Sequence, residues 1–235
     1  MRLGLQKLTL LDFPGSVACT VFTTGCNFRC PFCHNASLVL GSGEQLLSET
    51  DVLDFLKKRT GILDGVCLTG GEPLLHKEIL DFAAEVKTLG YKLKIDTNGS
   101  FPDRLEQAIS SGVVDYVAMD IKNSPEKYAL TIGTDAFLPQ VELSVNLLKT
   151  GRVPFEFRTT VTGNLHEKSD FTAIGEWISG TEKYFLQPYS ESEDVLKKSE
   201  VSPVGREQLN EFLAEARKFV PEAQIRGMTT AQQSS

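Results

Sequence analysis

The segment Gly25–Asn35, "GCNFRCPFCHN", places three of the chain's five cysteines, Cys26, Cys30 and Cys33, close together. In a reducing compartment, clustered cysteines serve as metal ligands or redox groups more readily than as disulfides. A closed structural metal site takes four ligands, and a disulfide framework takes an even number of cysteines. Three thiolates together leave two readings. Either His34 completes a Cys3His zinc site, or one coordination position is left open. Adjacent Cys33 and His34 are poorly placed to turn toward one ion. Three thiolates can hold three irons of a 4Fe–4S cluster, where the usual protein site supplies four, and the fourth iron then stays free to bind something else. Cys19 and Cys67 lie in apolar stretches and read as packing residues.

What must position these thiols is legible in the surrounding pattern. "SVACTVFTTG", running into the cysteine loop, is rich in β-branched residues and ends at glycine, so it predicts a strand. Ser48 and Asp51 form a capping-box pattern that opens a helix carrying Val52, Leu53 and Leu56. Strand signals then recur in "GVCLTG", "YKLKIDTNG", "VVDYVAMDIK", "PFEFRTTVTG" and "KYFLQPYS". Helices are predicted at Leu75–Leu89, in "FPDRLEQAISSG", in part of the stretch up to Gly151, and around Asp170–Ile178. A last helix is predicted from Ser202, with Pro203 at its first position and Leu209, Phe212, Leu213, Ala216, Phe219 and Val220 as its buried stripe. "AQIRG" suggests one more strand. Strands alternating with helices imply βαβ units and a parallel sheet. About six units are counted, fewer than the eight of a closed barrel, which gives an α/β fold: a partial (β/α)6 barrel of parallel strands with outer helices. Residues 1–226 are expected to form one domain and 227–235 a disordered tail.

In such sheets ligands meet the C-terminal ends of the strands. The cysteines follow the first of these strands, "GGEP" (Gly70, Gly71, Glu72, Pro73) the second, and "DTNG" (Asp96, Thr97, Asn98, Gly99) the third. Asp120 and Lys122 follow the fourth, Arg158 lies in the fifth, and Gln187 and Tyr189 end the sixth. Taken singly, each has a plain structural explanation. "GGEP" is a tight turn before a helix, "DTNG" a turn, Asp120 and Lys122 a surface pair, and Arg158 a partner for Glu156. Their placement at one end of one sheet, beside the cysteines, favours a shared site. His34, His76 and His166 are given no catalytic role.

Composition narrows the classes. With 235 residues, 41% of them hydrophobic, the chain can bury a large core. A net charge of −7 provides no general basic field for nucleic acid. No apolar run is long enough to span a bilayer, and "MRLGLQKLTLLDFPG" lacks the apolar core and cleavage site of a signal peptide, so a cytoplasmic protein with no membrane partner is expected.

The C-x3-C-x2-C spacing, with Phe32 just before the third cysteine, resembles the radical S-adenosylmethionine superfamily, as does "GGEP". With "TLLDFPG", "LTGGEPLL", "DTNG" and "MDIK", the chain is similar to activating enzymes of glycyl-radical enzymes. Lacking cysteines for a further cluster domain, it looks most like anaerobic ribonucleoside-triphosphate reductase activating proteins. Ser190 follows "LQPY" where pyruvate formate-lyase activases tend to have histidine.

The resemblance implies one 4Fe–4S cluster on Cys26, Cys30 and Cys33, with S-adenosylmethionine on the open iron. Reductive cleavage would give methionine and a 5′-deoxyadenosyl radical, which abstracts a glycine α-hydrogen in a partner glycyl-radical enzyme. A flavodoxin or ferredoxin-type protein would supply the electron. Carried onto this sequence, Gly70, Gly71, Glu72 and Pro73 meet the methionine ammonium. Asp96, Thr97 and Asp120 surround its carboxylate or a monovalent cation. Lys122 and Arg158 meet the carboxylate and ribose, and Asn98 the nucleoside, with Phe32 and Gln187 also at the cofactor. Two alternatives stand beside the activase: a radical enzyme acting on a small molecule, similar to 7-carboxy-7-deazaguanine synthase, which needs a preformed pocket among Arg158, Gln187 and Tyr189, and the zinc module.

Overall fold

The computed structural model describes residues 1–41 and 46–227. The expected tail therefore lies, apart from Gly227, outside the described residues. The chain opens with β1 (Arg2–Thr9), β2 (Ala18–Thr23), a short helix α1 (Ala36–Val39) after the cysteine loop, β3 (Leu47–Ser48) and α2 (Glu49–Lys57). Strands and helices then alternate. They are β4 (Gly65–Gly70), α3 (Ile79–Thr88), β5 (Lys92–Thr97), α4 (Pro102–Ser110), β6 (Tyr116–Asp120), α5 (Tyr128–Ile132), α6 (Leu138–Lys149), β7 (Phe155–Val161), α7 (Lys168–Trp177), β8 (Tyr184–Pro188), α8 (Arg206–Ala216) and β9 (Gln224–Ile225). All strands join one sheet in the order β3-β1-β2-β4-β5-β6-β7-β8-β9. From β2 to β9 every neighbouring pair is parallel. The six strands β2 and β4 to β8 are each followed by a helix, as the count of units predicts. The sheet's two ends, β3 and β9, do not pair with each other, so the barrel is partial.

Three features depart from the sequence pattern. β1 pairs antiparallel with β2, and β3 antiparallel with β1. β1 is faint in the sequence because only Leu3 and Thr9 of it are buried, so it lacks the alternation that marks a half-buried strand. The helix expected from Leu75 is interrupted: Pro73–Leu75 form a 3-10 turn, the His76 ring nitrogen bonds the Thr24 carbonyl at 2.7 Å, and α3 begins only at Ile79. The helix expected from Ser202 begins at Arg206, because Ser202 and Pro203 are held flat against the loop after β7. The Gly163 N–H donates to the Ser202 carbonyl at 2.8 Å, and the Ser202 N–H to Asn164 Oδ1 at 3.0 Å.

Elsewhere local signals and packing agree. The Ser48–Asp51 capping box is formed, with Asp51 N–H on Ser48 Oγ at 3.1 Å and Ser48 N–H on Asp51 Oδ2 at 3.0 Å. The predicted stripe of α8 packs inward, its Phe212 ring stacked on Phe171 at 4.6 Å, while Phe219 beyond the helix is half-buried. Each such fully buried side chain contributes about 1.5–3 kcal/mol. This packing fixes the sheet rigidly enough to hold a site at its strand ends.

Candidate active site

A cavity of about 240 Å³ lies at the strand ends. It is lined by Cys26, Cys30 and Cys33, by Phe32, by Gly70 and Gly71, by Asp96, Thr97 and Asn98, and by Asp120, Lys122, Arg158 and Gln187. Every residue expected at the site is therefore there except Glu72 and Pro73. Phe28, Asn35, Thr69 and Thr160 also line it. The sequence gave no chemical signal for the first two. Thr69 and Thr160 are legible afterwards as strand-end residues beside Gly70 and Arg158.

Glu72 lies behind this wall instead of in it. Its carboxylate is fully buried and accepts from the Leu74 N–H (3.0 Å) and Thr97 hydroxyl (2.8 Å) at Oε1, and from the Asn98 N–H (2.7 Å) at Oε2. Burial pushes its carboxyl up to about 7, against the pull of those donors. Glu72 thus buckles the turn after β4 to the loop after β5. Pro73 starts the 3-10 turn behind it. The two preceding glycines are demanded by backbone. A Cβ on Gly71 would stand 1.8 Å from the Gly25 carbonyl oxygen, and one on Gly70, whose φ is +119°, would stand 2.4 Å from Thr23 backbone atoms. That closeness lets Gly71 N–H reach the Thr23 carbonyl and Glu72 N–H the Gly25 carbonyl, both at 2.9 Å, anchoring the start of the cysteine loop.

The thiols themselves are sheltered. Cys30 is buried, and Cys26 and Cys33 are half-buried. Burial pushes the Cys26 thiol up to about 11, eased by the Phe28 N–H on its sulfur at 3.3 Å, and the Cys30 thiol up to about 12, eased by Lys122. Without a metal the Cys26 and Cys30 thiols are protonated, and loading a cluster releases those protons. Among the described residues, no three His, Cys, Asp or Glu side chains converge to hold a single metal ion. His34 stacks on Tyr189 at 5.3 Å with Nδ1 3.2 Å from Ser192 Oγ, so the zinc module has no fourth ligand in place. Three thiolates on one cavity are the ligands of a four-iron cluster that keeps one iron open. The donor set fits it.

The opposite wall is built from charge. Arg158 donates from Nε to Asp120 Oδ1 and from one terminal nitrogen to Asp96 Oδ2, both at 2.9 Å. Lys122 Nζ reaches Asp120 Oδ2 at 2.9 Å, and Lys94 Nζ is paired with Asp96 Oδ1. Burial opposes charge on Asp120, yet Arg158 and Lys122 outweigh it and hold its carboxyl well below the usual range. Burial likewise pulls down on Lys122 and Arg158, and their carboxylate partners more than reverse it, so both stay cationic. Glu156, the plain alternative partner for Arg158, is occupied by Arg226 at 2.7 and 3.1 Å.

Two supports were missed in the sequence. His166, given no catalytic role from the sequence, is buried. The Thr162 N–H donates to its Nδ1 (3.2 Å), which leaves Nε2 to donate to the Lys122 carbonyl (3.0 Å), with Phe32 and Phe171 beside the ring. Burial holds its pKa down at about 4, so it is neutral. The second support is the segment after β8, which straps the cysteine loop. The Leu196 N–H donates to the Cys33 carbonyl and the Lys197 N–H to the Pro31 carbonyl, both at 3.0 Å, while Asp194 accepts from Ser37 N–H at 2.9 Å and its hydroxyl at 2.7 Å.

The Radical SAM superfamily profile matches residues 20–166. The chain belongs to the radical SAM superfamily, whose enzymes use a 4Fe–4S cluster and S-adenosylmethionine. A Methanocaldococcus jannaschii protein, provisionally named a glycyl-radical enzyme activating enzyme, is 28% identical over 231 residues, covering 95% of this chain and 94% of that protein. The pyruvate formate-lyase-activating enzyme of Listeria monocytogenes is 30% identical over 190 residues, covering 74% of each. Streptococcus suis SuiB bound to S-adenosylmethionine shares the fold, with a TM-score of 0.68 at 14% identity over 87% of this chain. The chain spans about half the length of that SuiB chain, 49%. Among the described residues no helix is long and apolar enough to cross a membrane.

Proposed function

We propose that this chain activates a glycyl-radical enzyme, and that its partner is an anaerobic ribonucleoside-triphosphate reductase. Cys26, Cys30 and Cys33 would hold the cluster, and Lys122 and Arg158 the methionine carboxylate, with Asn98 and Gln187 beside the nucleoside. With cluster and S-adenosylmethionine bound, and one electron from a flavodoxin- or ferredoxin-type donor, the site supplies a 5′-deoxyadenosyl radical that takes a glycine α-hydrogen, leaving 5′-deoxyadenosine, methionine and a glycyl radical. The residues of this chain bind, orient and shield. Phe28 and Phe32 exclude water on the cysteine side, and the paired charges fix the carboxylate end.

The observation that carries this over the small-molecule reading is the fate of Arg158, Gln187 and Tyr189. Arg158 is tied to two carboxylates, Tyr189 is fully buried under His34, and Gln187 faces the same cavity as the thiols. No separate substrate pocket forms among them. A small substrate would need a buried volume of its own beside the cofactor, about the 300–1,000 Å³ usual for ligand pockets. A macromolecule presenting a loop needs no such room. Ser190, in place of the histidine of pyruvate formate-lyase activases, favours the reductase as partner.

The test is anaerobic incubation of reconstituted protein with reductant, S-adenosylmethionine and, separately, the organism's ribonucleotide reductase and its other glycyl-radical enzymes. The expected outcome is a glycine-centred doublet by electron paramagnetic resonance with the reductase, and deoxyadenosine formed alongside. A doublet only with another partner would reassign the substrate. No doublet with any, together with rapid turnover of a small metabolite, would remove the activase.

A further inference from the structure

Asp96 and Asp120 stand at the ends of neighbouring parallel strands and both line the cavity. Two carboxylates so placed would ordinarily draw a cation from solution, and a monovalent one is expected here from the sequence resemblance. In this chain all four oxygens are already engaged. Lys94 is two residues before Asp96 on β5 and therefore on the same face of the strand. It is 1% exposed, and its ammonium pairs with Asp96 Oδ1. Arg158 bridges Asp96 Oδ2 and Asp120 Oδ1, and Lys122 takes Asp120 Oδ2. An added monovalent ion would have to find oxygen lone pairs among three fixed positive charges, whose repulsion is strong in a site shielded from water. The residues do not fit such an ion.

We propose that the chain carries these counter-cations in its own sequence, with buried Lys94 as the positioning residue, so that cofactor binding is independent of potassium and sodium. Three cations against two carboxylates leave one positive charge. Lys122 and Arg158 line the cavity and keep N–H donors beyond those given to the aspartates. The excess therefore suits one further carboxylate. Lys94 matters because it offsets Asp96. Without it Arg158 and Lys122 would be neutralised by the two aspartates, and the wall would attract either a free cation or nothing. The cofactor half of this proposal rests on the cavity being the S-adenosylmethionine site.

The experiment is a comparison of salts at fixed ionic strength. For the reconstituted wild type, the dissociation constant for S-adenosylmethionine should agree within about twofold in potassium, sodium and tetramethylammonium chloride. Thallium-205 resonance, which needs neither cofactor nor turnover, should show no saturable site. Lys94→Met should acquire a saturable thallium site and bind the cofactor about tenfold more tightly in potassium than in tetramethylammonium. If Lys94→Met does not fold, Arg158→Met takes its place, and the wild-type titrations already decide. A saturable thallium site in the wild type, or cofactor binding that fails in tetramethylammonium alone, would overturn the proposal. Loss of cofactor binding in every salt would instead refute the cavity as the cofactor site, and the thallium titration would still decide whether the carboxylates are satisfied from within.

Discussion

The two walls of the cavity are held by different forces. On the cysteine side positions are set by backbone: Gly71 N–H on Thr23, Glu72 N–H on Gly25, Leu196 N–H on Cys33. On the side of β5, β6 and β7 the backbone is ordinary sheet, and position is set by an alternation of charges from Lys94 through Asp96, Arg158 and Asp120 to Lys122. A metal cluster needs a fixed shape with few competing charges. A zwitterionic ligand needs a fixed potential. Cluster binding and cofactor binding should therefore fail separately.

The largest separation is expected at the thiols. Alanine at Cys26, Cys30 or Cys33 should abolish the brown colour and the content of about four irons expected of one cubane site, measured after anaerobic reconstitution. Cys19→Ala and Cys67→Ala should keep both, although Cys67 sits 3.7 Å from Asp96 Oδ1 on the charged side. Iron lost with Cys67 would join the two walls into one device.

The next effect tests the brace between the walls. His166 is near 6.5 when unfolded and about 4 when folded, so its contribution is present above pH 6.5 and is lost, by about 3 kcal/mol, as pH falls to 4. Glu72 has the opposite sign. Its folded value of about 7 exceeds the ordinary 4.5, so its contribution is present at low pH and is lost as pH rises toward 7. Denaturant unfolding of the apo-protein should therefore be nearly flat between pH 4.5 and 6.5, whereas His166→Gln should gain stability on acidification across that window. Parallel pH profiles for the two proteins would show that His166 is not held neutral.

The smallest effect belongs to one hydrogen bond to a charge. Lys122→Met should leave iron content unchanged and weaken S-adenosylmethionine by about 1.5–3 kcal/mol, read by equilibrium dialysis. Iron lost in this variant would mean that the charged wall also carries the cluster.

The same contrast explains what was legible in the sequence. The charged wall was read almost completely, because a strand that ends in Asp96 or Asp120 announces a polar group at a fixed height in a parallel sheet. The thiols were read from their spacing. Lys94 was passed over, since a lysine within "YKLKIDTNG" looks like any solvent-facing strand residue until the barrel closes over it. Glu72 is expected at the cofactor from its motif, which gives a residue's location but not the direction of its side chain. In the fold its carboxylate turns to Leu74, Thr97 and Asn98. The strap was invisible for a related reason: its bonds are made by backbone N–H groups of Leu196 and Lys197, which carry no sequence signature. β1 was missed because a strand with only two buried side chains has no period to detect.

The strap has a consequence for the order in which the protein is made. His34 and its partner Ser192 are 158 positions apart, and the cysteine loop just before His34 is fastened by residues close behind Ser192. At a synthesis rate of about 5–20 residues per second, the thiols leave the ribosome on the order of ten seconds or more before the segment that holds their loop. During that interval the loop has its glycine anchor but not its strap. Delivery of iron and sulfide to a finished site is thus an event of the completed chain, and a truncation before Ser192 should translate the cysteines without ever giving them their final enclosure.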